Sequence, residues 1–68
     1  MYVLFDNDHE LFICHINRNG GVHFTSSVES ARRWDNPQEA AHILEQLNEY
    51  GMLPVRADFR VMEVEDVW

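Results

Sequence analysis

The sequence predicts a single α+β domain: a small antiparallel or mixed β-sheet, made of a three-strand meander and a C-terminal strand, packed on one face by one main helix. Three observations predict it. Short β-branched and aromatic runs alternate with Asn/Asp/Gly clusters over the first 25 residues. One amphipathic stretch, opened by Asn36-Pro37, follows. A final run, Asp58 to Val64, again has strand character. With 68 residues there is room for one domain, 1–68, in the order β-β-β-α-β.

Tyr2 to Phe5 is the first predicted strand, ended by Asp6-Asn7-Asp8. Leu11 to Ile16 and Val22 to Thr25 are the second and third. Arg18-Asn19-Gly20 suits a three-residue hairpin loop with Gly20 in the left-handed region, which pairs Ile16 with Val22 and Cys14 with Phe24. That register gathers Phe12, Cys14, Ile16, Val22 and Phe24 on one face. A two-residue turn at Asn7-Asp8 adds Met1, Val3 and Phe5 to it. Ser26 and Glu29 have capping-box spacing, which predicts a short helix from Ser27 to about Arg33. Asn36 caps the main helix, Pro37 fits its first position and Glu39 completes the box. Ala40, Ile43, Leu44 and Leu47 form its apolar side. Gly51 stops it and Pro54 blocks continuation. The expected core joins Val3, Phe12 and Phe24 to that helix stripe. The opposite face, with Tyr2, Leu4, Leu11 and Ile13, is left for Val67 and Trp68, a second copy or a partner to cover.

Composition narrows the function. The chain is 46% hydrophobic, with two Trp, two Tyr and four Phe, enough for one core. No apolar run approaches the roughly 18 residues of a membrane span. Met1-Tyr-Val-Leu-Phe5 lacks the basic start of a secretory leader. Cys14 is the one cysteine, which excludes an internal disulfide and fits a cytoplasmic setting. Twelve Asp and Glu oppose five Arg and no Lys, for a formal net charge of -7. Such a chain repels phosphate, so direct binding to nucleic acid or an anionic membrane is disfavoured and a basic protein surface is the expected partner.

Catalytic and metal motifs are missing. His15 and His23 face each other across the predicted hairpin, but zinc needs three or four ligands and no third is apparent. Asp6-Asn7-Asp8-His9-Glu10 fails as a calcium loop, since Leu11 and Asn17 stand where Gly and Glu are required. Cys14 falls on the core face. Ser26 and Ser27 have no G-x-S-x-G context, and there is no phosphate loop or dinucleotide fingerprint. No catalytic residue, metal or cofactor is assigned, and the expectation is a non-enzyme.

The acidic residues are the functional lead. With the last strand running parallel to the first, Asp6, Asp8 and Glu10 share one end with Glu63, Glu65 and Asp66, and Glu29 lies near. Arg18 and Arg56 fall at the other end. Glu45 and Glu49 add a pair one helical turn apart. This is a one-ended negative field, suited to a basic groove that normally holds nucleic acid.

The stretch Phe24-Thr-Ser-Ser-Val-Glu-Ser-Ala-Arg-Arg-Trp34, followed by Pro37-Gln-Glu-Ala-Ala-His-Ile-Leu-Glu-Gln-Leu47, resembles small acidic phage and prophage proteins. Those combine a hairpin, an FTS segment leading to an aromatic residue, and a helix opened by a Glu-Ala pair. Phage proteins of this size and acidity include anti-CRISPR inhibitors, several of which imitate DNA. The resemblance implies a phage anti-defence inhibitor, acting in the host cytoplasm on a CRISPR effector subunit through its DNA-reading site. The alternative is a small structural or regulatory module acting through a homodimer or the Tyr2-Leu4-Leu11-Ile13 face. Whether the chain is a monomer or a homodimer is left open by the sequence.

Overall fold

The computed structural model describes residues 1–17, 21–53 and 57–65. Strands β1 (Tyr2–Asp6), β2 (Leu11–Ile16) and β3 (Val22–Thr25) come first, then one 3-10 turn (Val28–Ser30). Helix α1 (Pro37–Glu49) and strand β4 (Phe59–Glu63) complete the order. The sheet runs β3-β2-β1-β4, every neighbour antiparallel, and α1 packs on one face. The α+β architecture expected from the sequence is the one observed. The expected three-residue loop of Arg18, Asn19 and Gly20 lies outside the described residues. Its flank is fixed by the Asn17 N–H, which donates to the Gly21 carbonyl at 2.8 Å.

The core does not sit where the simple register puts it. Ile16 pairs with Val22 and His15 with His23, as expected. Above them Ile13, not Cys14, pairs with Phe24, because Cys14 is the extra residue of a β-bulge. Side chains alternate across a strand, so the bulge moves Ile13 to the same face as Ile16, Val22 and Phe24. That face carries Leu4 and Ile13, both 0% exposed, and is the one α1 covers with Ala40 and Leu47. Val3 and Phe12 lie on the opposite side, where Ala31, Phe5, Met62 and Val64 pack against them. The expected single face is thus split in two. The Tyr2-Leu4-Leu11-Ile13 face, expected to be covered by Val67 and Trp68, a second copy or a partner, supplies Leu4 and Ile13 to the helix-covered core, with Tyr2 packed against it; Val67 and Trp68 lie outside the described residues. β1 and β2 are joined by a four-residue loop, since Asp6 pairs with Leu11, rather than by a two-residue turn at Asn7-Asp8. Phe24 and Phe59 come from the two edge strands, about 14 Å apart in a flat sheet. Their rings stack at 5.6 Å, so sheet twist and inward lean close that end of the core.

The segment before α1 is also different. Ser27 makes no side-chain cap, and only one turn of 3-10 helix forms. Instead the chain extends, the Arg32 N–H donates to the Ile13 carbonyl at 2.9 Å, and Trp34 exchanges both backbone hydrogen bonds with Tyr2 at 2.8 Å. These tertiary bonds outweigh the capping signal at Ser26. They also place Trp34 beside Leu4 in the core. From there Asn36 caps α1, its Oδ1 accepting from the Gln38 N–H at 2.7 Å, with Pro37 at the first position. At the far end the Gly51 N–H bonds the Asn48 carbonyl and the Met52 N–H the Leu47 carbonyl at 3.0 Å. Gly51 has φ 65°, so the helix ends in a full Schellman motif.

Candidate partner-binding surface

Each acidic residue singled out in the sequence, Asp66 excepted, has a described place. Asp6 is not on the surface: it is 1% exposed, on the α1 side of the sheet. One carboxylate oxygen accepts from the Asp8 N–H at 3.0 Å, and the other lies 2.6 Å from His9 Nδ1. The arrangement is an Asx turn with a histidine lock, and it fixes the loop between β1 and β2. Burial is the largest single influence on this carboxyl and acts to raise its pKa. The hydrogen bonds from His9 and the Asp8 N–H, the His9 charge and the Asp58 N–H together outweigh it, so the pKa lies below the ordinary aspartate value. A carboxylate so occupied is an anchor for the loop.

Asp8 and Glu10 are exposed on that loop, Glu10 with φ 53°. Asp58 stands at the same end and pairs with Arg60 at 3.1 Å on the surface. Glu63 and Glu65 are exposed at the opposite end, because β4 is antiparallel to β1: Phe59 pairs with Asp6 and Glu63 with Tyr2. The expected parallel placement, and with it the one-ended field, is corrected by this register. Glu65 lies about six strand residues from Phe59, so the two acidic ends are about 20 Å apart. Glu29 is exposed beside the 3-10 turn, and Glu45 and Glu49 on the outer side of α1. Asp66, with Arg18 and Arg56, lies outside the described residues. The chain therefore carries exposed carboxylates at two ends and along the helix, on a body of 33 × 22 × 19 Å.

The other motifs resolve as follows. The His15 and His23 rings are 5.8 Å apart on the face away from α1, and the Asn17 amide donates to His23 Nε2 at 3.1 Å. No group of three potential metal ligands occurs among the described residues. No described helix is long and apolar enough to cross a membrane. Of the apolar face considered for a homodimer or partner, Leu4 and Ile13 are buried with Trp34, Ala40 and Leu47, while Tyr2 and Leu11 are half-buried.

A feature not singled out in the sequence is a groove of about 300 Å³ between the C-terminal half of α1 and the end of β2. Ile16, Ile43, Leu47 and Met52 form its floor and walls, with Arg32 and Tyr50 at its sides. Tyr50 is 73% exposed although it caps the helix. The sequence signal was an aromatic residue directly before a helix-ending glycine, where a polar residue serves equally well.

Comparison with protein-family models, curated protein sequences and solved structures gives no match. The surface chemistry must therefore carry the functional reading.

Proposed function

We propose that this chain is a non-enzymatic binding protein whose carboxylates dock on a basic surface of another protein. Its specific form is a phage-encoded inhibitor that occupies the nucleic-acid site of a CRISPR effector, in the host cytoplasm. The observation that carries the reading is the placing of exposed carboxylates at both ends of the β1–β4 pair and on α1, in a chain of net charge -7 without lysine. Phosphates recur every 3.4 Å along each strand of a duplex, so the roughly 20 Å between the acidic ends corresponds to about six base-pair steps. A partner groove that follows a duplex presents Lys and Arg over such a length, and carboxylates carried on a folded backbone meet them at the cost of side-chain ordering alone. The corrected strand direction favours recognition along the body over recognition at one tip.

The test is binding to a purified CRISPR effector at rising salt. Three variants are compared with the parent: Asp8→Asn with Glu10→Gln, Glu63→Gln with Glu65→Gln, and Glu45→Gln with Glu49→Gln. Docking along the body predicts that salt weakens binding steeply, and that neutralising either end weakens it and flattens the salt dependence. Salt-insensitive binding that survives all three changes defeats the mimicry.

A further inference from the structure

We infer that His15 and His23 form a two-imidazole site for a divalent transition-metal ion of the nickel or copper type. The site is independent of the carboxylate surface and rests on the hairpin alone. β2 and β3 place the two residues as direct partners, both exposed on the face away from α1. Their ring centroids are 5.8 Å apart and the rings are tilted by 44°. A metal–nitrogen bond is about 2.0–2.1 Å and a ring centre lies about 1.1 Å beyond its nitrogen, so each centroid stands about 3.2 Å from a shared ion. At a bond angle of about 90–110° the two centroids are then about 4.5–5.2 Å apart. The rings have to close by about 1 Å, which small χ rotations of two exposed side chains supply. The strands themselves need not move: the Asn17 N–H bond to the Gly21 carbonyl at 2.8 Å pins the hairpin just beyond the pair.

Ligand chemistry selects the ion. Imidazole suits nickel, copper and zinc, whereas magnesium and calcium take oxygen. Among the described residues no cluster of three His, Cys, Asp or Glu forms. The pair therefore falls short of the three or four protein ligands of a zinc site. It fits an ion of tetragonal preference, which accepts two adjacent nitrogens and fills its other positions with water. Asn17 adds an outer contact, its amide nitrogen lying 3.1 Å from His23 Nε2. With the metal on Nδ1, a half-turn of that amide presents its oxygen to the Nε2 proton, the kind of contact that orients a metal-bound histidine. The other two histidines are engaged elsewhere, His9 with buried Asp6 at 2.6 Å and His42 with the Gln46 amide at 3.3 Å. The net charge of -7 raises the local concentration of cations around the whole chain.

The probe is Ni(II) alone, followed by calorimetry and by amide NMR, with and without excess Mg(II). The expected result is one Ni(II) per chain, bound equally well in Mg(II), with the amides of His15, Ile16, Val22 and His23 broadened first. Held on one hairpin, the second imidazole binds as an intramolecular ligand, so His15→Ala or His23→Ala alone lowers the affinity about a hundredfold. Both side chains are exposed, so these variants fold as the parent does. The double variant His9→Gln with His42→Gln keeps the parent's affinity, and Asn17→Ala lowers it about tenfold. Unchanged affinity in either His15→Ala or His23→Ala, displacement of Ni(II) by Mg(II), or broadening that begins at Asp8 and Glu10 overturns the site. Unchanged affinity in Asn17→Ala overturns the outer contact.

Discussion

Replacing Ile13 by Val is the sharpest probe of this fold. In an unbroken strand Ile13 and His15 share a face, and both tolerate change or neither does. The bulge at Cys14 separates them: Ile13 is 0% exposed among Leu4, Trp34 and Leu47, while His15 is exposed on the other side. Removing one buried methylene costs about 0.5–1.5 kcal/mol. A chain of this length has a total stability of about 3–10 kcal/mol, so the loss is measurable without unfolding the protein. With a urea m-value of about 1 kcal/mol/M, the midpoint moves down by about 0.5–1.5 M. His15→Ala moves it by less than about 0.5 M. The assay is equilibrium urea unfolding followed by tryptophan fluorescence. A silent Ile13→Val beside a costly His15→Ala refutes the bulged register, and with it the assignment of the helix-covered face.

Three other outcomes follow from the same structure. Gly51→Ala lowers stability by about 1 kcal/mol in thermal or urea unfolding, through its left-handed φ alone, since no atom lies within 4 Å of an added Cβ. Asp6 has a pKa below the ordinary value, so its stabilising effect is complete above about pH 3.9 and is lost as pH falls through the lowered folded pKa. His9→Gln therefore raises the Asp6 pKa, read by NMR titration of its carboxyl carbon, and shifts acid unfolding to higher pH. Tyr50→Ala leaves the urea midpoint within about 0.5 M of the parent, because its ring is already in water.

Local chemistry made the elements readable, and long-range chemistry hid their faces. Asn36-Pro37 and Gly51 announced α1 because capping and left-handed termination are decided within a few residues. The hairpin pairing of Ile16 with Val22 was likewise local. Cys14 gives no composition signal for a bulge, and one extra residue reverses the side of everything above it. The direction of β4 was open for a different reason: residues 50–58 are long enough to bring the chain to either end of the sheet. Antiparallel pairing with β1 places Phe59 against Phe24 and the Asp58 N–H against Asp6, contacts made by residues far apart in sequence. The acidic residues themselves were visible from the start. Their distribution depended on that strand direction, which sent Glu63 and Glu65 away from Asp8 and Glu10. Asp6 left the surface set because three donors and a histidine charge hold it inside.

The most direct measurement of the functional account is competition. A CRISPR effector loaded with guide RNA is held at fixed concentration with labelled target duplex, and this protein is titrated in. Duplex release that saturates at one protein per site, and moves to higher protein concentration when both acidic ends are neutralised, is the predicted result. Simultaneous binding of duplex and protein, or an absence of any binding to the effector, contradicts it.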